Sequence, residues 1–142
     1  MASANFTNLT RALAKADIDF DTATFKVMLL SAVPSEANLD AWANRSDVTS
    51  EISGTGYTAG GISQAFTLDA VDNTNNRQSV TYTNITNGWT AATFTAAAAI
   101  IYKNTGTAST DILLHMVDFG GNVSCTAGNF SITYSTPFYI NR

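Results

Sequence analysis

At 142 residues the chain has the size of one domain, and with 45% hydrophobic residues it can bury a sufficient core without disulfides or metals. Only 13% of residues are charged, about half the usual share, so the polar surface must be built from Ser, Thr and Asn, and a highly charged disordered chain is excluded. Seven Lys plus Arg against eleven Asp plus Glu give a net charge of −4, and with no basic cluster a nucleic-acid backbone finds little to hold.

Along the chain, Asn5 or Thr7 is placed to cap a short helix whose Leu9, Ala12, Leu13 and Ala16 share one face. The segment before Thr7, residues 1–6, has little to bury and is expected to be an arm that orders on contact. Residues 24–33 read as a strand ended by Pro34. Residues 36–44 have helical propensity around Leu39 and Trp42, and residues 46–52 suit a further turn. The stretch GTGYTAGG from Gly54 is loop material that no helix tolerates.

Beyond that loop the chain reads as all β. Ile62, Gln64, Phe66 and Leu68 alternate with smaller or polar residues, the run 72–76 makes a turn, and Val80 and Tyr82 return, which is a hairpin. Asn87-Gly88 marks a next turn. Residues 93–103 contain four alanines that favour helix alone, but the β-branched and aromatic flanks favour strand. Residues 112–119 and 130–134 read as two more strands separated by GGNVSCTAGN. The expected fold is mainly β: an antiparallel sandwich or barrel, one domain over 1–142, with a short N-terminal helix and one or two further short helices.

Candidate chemistry is sparse. His115 is the only histidine, and neither it nor the single cysteine, Cys125, sits in a motif that supplies an activating partner. Asp17, Asp19 and Asp21 open like a calcium loop, yet Thr22 stands where the glycine belongs and Met28 where the bidentate glutamate belongs. One His and one Cys cannot supply a zinc site. Gly54 to Ala59 fits a dinucleotide fingerprint and Gly56 to Gly61 the spacing of a phosphate loop, but the first lacks its strand and helix, and the second has Ile62 in place of lysine. No catalytic residue, cofactor or metal is therefore expected. A surface so poor in charge repels its copies weakly, so part of it is expected to be an interface, for which Phe6, Trp42, Tyr57 and Trp89 are the aromatic candidates, with a place in the core the favoured alternative for the two tryptophans. No apolar run reaches membrane-spanning length, the opening residues lack the apolar core of a secretory signal, and a lone cysteine fits a reducing cytoplasm.

Four segments taken in order, TNLTRALAKADIDFDTATFKVMLLS, RSDVTSEISGTGYTAGG, AAAAIIYKNTG and LLHMVDFGGNVSCTAGNFSITYS, resemble a family of small tailed-bacteriophage virion structural proteins. The loop SGTGYTAGG and the turn IYKNTG are the most specific pieces. The resemblance implies an accessory virion component assembled in the host bacterial cytoplasm. Its implied role is capsid decoration or cement, and its implied partners are its own copies, with a trimer favoured, and the major capsid protein; from charge and hydropathy neither nucleic acid nor membrane is expected as a partner. A head-fibre, tail or tail-tip role is the alternative within that class, and a carbohydrate-binding module is the alternative outside it. The alanines at 96–99 depart from the bulkier side chains expected in relatives, which suggests close packing against a neighbour.

Overall fold

A computed structural model describes residues 2–141. The elements in order are β1 (Ala4–Asn5), α1 (Asn8–Ala14), β2 (Phe25–Leu30), α2 (Glu36–Ala41), a single 3-10 turn (Arg45–Asp47), β3 (Ile62–Ser63), β4 (Phe66–Leu68), β5 (Arg77–Tyr82), β6 (Ile85–Lys103), β7 (Ile112–Ile132) and β8 (Phe138–Asn141). The fold is mainly β and antiparallel, as the alternation predicts. One sheet has the order β1-β7-β6-β2-β3 and the other β4-β5-β8.

The five-stranded sheet is buried on both faces where β2, β6 and β7 run together. One face carries Val27, Leu29, Ala99, Ile101 and Leu114, packed with α1 residues Leu9 and Ala12 and with Val80, Tyr82 and Phe138 from the second sheet. The other face carries Met28, Leu30, Ala98, Ile100 and Met116, covered by Leu39 of α2 and by Phe6, Val33, Trp42 and Val48. Two-sided burial explains why residues 96–102 form an unbroken apolar run without polar alternation. The alanines are part of this core, each 5% exposed or less. Their small side chains meet layers of the same chain, so the expected contact with a neighbouring molecule at these positions is corrected.

Several boundaries differ from the sequence reading. Residues 4–6 are not a free arm: Ala4 and Asn5 pair with Met116 and His115, and Phe6 is 1% exposed, because a phenylalanine beside an open strand edge gains more from burial than from solvent. Met1 lies outside the described residues. Thr7 stands at the N-cap of α1 without a capping bond; its hydroxyl donates instead to Asp40 of α2, 2.6 Å away. Ser35 caps α2 by a reciprocal exchange with Asn38. Ile62 and Ser63 pair with β2 rather than joining the hairpin, which is formed by β4 and β5.

Asn87-Gly88 is not a turn, and GGNVSCTAGN does not separate two strands. Both lie inside the long antiparallel pair β6–β7, which absorbs them as register shifts. Asn87, Ala91 and Ala127 take positive φ at such irregularities, and Gly120 and Gly121 do so where four β7 residues are accommodated opposite Ala97 alone. Gly88 is fixed by space: a Cβ there would stand 2.3 Å from the Ile85 side chain.

Candidate functional site

The motifs most distinctive in the sequence are used to hold the fold. Glu51 Oε1 accepts from the Tyr57 hydroxyl at 2.8 Å and from the Gly60 N–H, while the Leu29 N–H of β2 donates to the Tyr57 oxygen. The Tyr102 hydroxyl, at the end of β6, donates to the Gly60 carbonyl at 2.6 Å. Loop 54–61 is thereby stapled between β2 and β6. Desolvation raises the Tyr57 pKa and pushes Tyr102 up to about 12, so both remain protonated donors at neutral pH.

The IYKNTG turn serves a second knot. Asp111 is fully buried and receives the Arg45 guanidinium at 2.7 Å together with the backbone N–H and hydroxyl of Thr105. Burial opposes its charge, but the Thr105 hydrogen bonds and Arg45 outweigh burial and hold the carboxyl below its ordinary range. The glycine loop and the turn thus join through Arg45, which also lies over the Tyr102 ring.

Of the four aromatic interface candidates, Tyr57 and Trp89 stack on each other, and Phe6 and Trp42 lie on the opposite face of the sheet. Phe6 and Trp89 are core residues, 1% and 2% exposed, so neither is an anchor that a partner can reach; this corrects the interface candidacy of both and, for Trp89, leaves the core alternative that the sequence favoured. Trp42 is partly buried against the Met28 face, and Tyr57 is partly buried against Trp89 and Phe94 with ring centroids 6.4 and 5.9 Å away. They line no common concavity.

Asp17, Asp19 and Asp21 also serve local structure: Asp17 pairs with Lys15 at 2.9 Å, and Asp19 accepts from the Asp21 N–H and the Thr22 hydroxyl. Among the described residues, no three His, Cys, Asp or Glu side chains gather as metal ligands. None of their helices is long and apolar enough to cross a membrane.

Two surface features remain. The first is the β6–β7 ribbon beyond the sheet, where Ile85 to Ala96 runs against Val123 to Ile132. Trp89, Phe94 and Phe130 point into the core, while Thr90, Thr93, Thr95, Ser124, Thr126 and Asn129 are exposed. No Asp, Glu, Lys or Arg occurs at 78–102 or at 119–141, so the ribbon presents a neutral hydroxyl and amide surface. In the sheet order β7 has only β1 on its outer side; Ala4, Asn5 and Phe6 together with Ala43 and Asn44 pair along residues 112–116, and among the described residues no strand pairs with that edge from Gly120 to Ser131. The two charge-free spans were readable in the sequence; their meeting in one ribbon was not, because the register across 30 or more residues follows from bulges.

The second feature is a cleft of about 330 Å³ between the sheets, lined by Tyr82, His115, Asp118, Phe119, Phe130 and the segment 131–136. His115 Nδ1 lies 2.8 Å from Asn5 Oδ1, and burial pushes its pKa down to about 4. Tyr134 donates to Gln64 Oε1 at 2.5 Å, and the Tyr82 hydroxyl is buried without a partner. The imidazole is neutral and both phenols are protonated at neutral pH.

Comparisons with protein-family models, with curated proteins and with solved structures found no match to the chain.

Proposed function

We propose that the protein is a non-enzymatic bacteriophage virion component, a decoration or cement protein that binds the outside of the head as a homo-oligomer and reinforces contacts between major capsid subunits. The observation that carries this reading is the neutral β6–β7 ribbon with an unpaired outer edge. Folds that remain monomeric protect long edges with charges, prolines or covering segments, whereas this edge carries uncharged and, apart from Val123 and Phe130, small or polar residues from Gly120 to Ser131. A broad, weakly charged surface suits an accessory subunit that gains firm attachment by repeating modest contacts over a symmetric shell. The quoted resemblance supplies the virion context, and the distinctive motifs it rests on hold this chain's loops rather than any reacting group.

Light scattering of the purified protein tests the self-association on which the reading depends. A closed oligomer, with a trimer expected, should persist at micromolar concentration, and the double substitution S124K and T126K at exposed ribbon positions should convert it to monomer with little change in Tm. A wild-type monomer at high concentration contradicts the proposal.

A further inference from the structure

Each of the two sheets ends in an open edge flanked by apolar side chains. On the five-stranded sheet, Thr93 turns its N–H away from β7 to donate to the Thr55 carbonyl, so by alternation Thr95 also faces away, and Ser124 opposite it turns its own N–H and C=O outward. The 2.8 Å contact between the Thr95 and Ser124 hydroxyls agrees with such a pair, in which side chains stand closest. Asn122 and Thr126 face outward with Ser124, between the irregularities at Gly120–Gly121 and Ala127. On the other sheet β4 is the terminal strand. The Ala65 carbonyl accepts from Thr83 and the Asp69 N–H donates to the Ser79 carbonyl, both in the direction of β5, so Phe66 and Leu68 turn their backbone groups outward. Leu68 at 44%, Val71 at 64% and Val123 at 42% are the exposed large apolar side chains among the described residues, and all three flank these two edges.

We propose that β4 of one copy adds to the β7 edge of the next, residues 66–68 forming backbone hydrogen bonds with 122–126 and Val123 packing with Leu68 and Val71. This contact rests on the self-association proposed above and gives the ribbon its counterpart surface. Length selects β4. A second β7 placed antiparallel about Ser124 would continue to Ile132 and run into the place that β1 holds beside Met116, whereas a three-residue strand fits between the two irregularities. Charge permits the pairing: Asp69 and Asp72 beside β4 are occupied by the Thr81 hydroxyl and by Arg77, and residues 119–131 carry no charge to oppose them. One contact of this kind covers both open edges and all three apolar side chains. It is head-to-tail, joining different surfaces, so each copy both gives and receives a strand and the contacts close as a ring, with three members in the expected trimer.

Two measurements on the full chain test it. Leu68→Lys and Val71→Lys, each at an exposed position of the β4 edge and outside the ribbon, should be monomers by light scattering at a concentration where wild type is an oligomer, with little change in Tm. Cross-linking reads the same contact without disrupting it. In a Cys125→Ser background, a short bis-maleimide added to co-expressed Leu68→Cys and Val123→Cys chains should link one to the other as covalent dimers, and neither variant expressed alone should be linked, because a head-to-tail contact places position 68 beside position 123 and never beside its own copy. Cross-linking of Val123→Cys chains expressed alone would reveal a two-fold pairing of β7 edges and overturn the proposal, as would Lys variants that stay oligomeric or co-expressed chains that are not linked. Those results leave the self-association of the ribbon standing; a wild-type monomer overturns both.

Discussion

Gly61 admits no side chain. At φ +68° its position would bring a Cβ to 1.8 Å from the Val27 carbonyl oxygen, inside the strand that loop 54–61 covers. Gly61→Ala combines left-handed strain with a backbone clash and should cost more than about 3 kcal/mol, read as a lower urea midpoint. The Arg45–Asp111 pair makes a complementary prediction. Arg45→Leu leaves Asp111 buried without its cation and should cost about 3 kcal/mol at pH 7, a loss that shrinks in Arg45→Leu/Asp111→Asn. His115 sets the acid response. Burial lowers its folded-state pKa from 6.5 to about 4, so between those values the unfolded chain takes up a proton that the native state refuses. Stability should be intact above about pH 6.5 and fall toward pH 4, by at most about 3 kcal/mol. Asn5 from β1, Tyr82 from β5 and Phe138 from β8 lie against that ring, and the Tyr82 phenol stays neutral throughout this range. Urea melts at pH 7 and 4.5 should show the loss in wild type and a smaller one in His115→Gln; equal losses would contradict it.

At the scale of elements, the N-terminal segment is a working strand. The Phe6 N–H donates to the Leu114 carbonyl and the Phe6 ring fills the Met28 face, so Phe6→Ala should cost about 3–4 kcal/mol in thermal or urea unfolding, where a free arm would give no change. The helices, the hairpin and the strand nature of 93–103 were legible because period, turn residues and β-branched flanks acted locally and in agreement. The N-terminal strand was not, since a two-residue strand has no period and depends on an edge more than 100 residues away. Asn87-Gly88 and Gly120-Gly121 carry ordinary turn chemistry. The long β6–β7 pairing absorbed them as bulges, which local residue preference cannot foresee. For the same reason the cleft was invisible: Asn5, Tyr82, His115 and Tyr134 come together only through the stacking of two sheets.

For the whole molecule, the sandwich concentrates its buried ion pair and loop staples around α2, the 3-10 turn and loop 54–61, and leaves the β6–β7 ribbon bare of charge. That asymmetry separates an internally bonded side from a neutral side, the one on which the proposed oligomer depends. A particle decorated by this protein should gain resistance to heat or to osmotic shock, since each attached oligomer adds contacts between capsid subunits. The most direct measurement is a cryo-EM map of tailed-phage virions carrying the protein. The account predicts density on the outside of the head at true and local threefold positions, in many copies, with the β6–β7 ribbon of each subunit in an interface. Density confined to six or twelve copies at the tail or portal, or threefold head density in which the ribbon faces solvent, would contradict it.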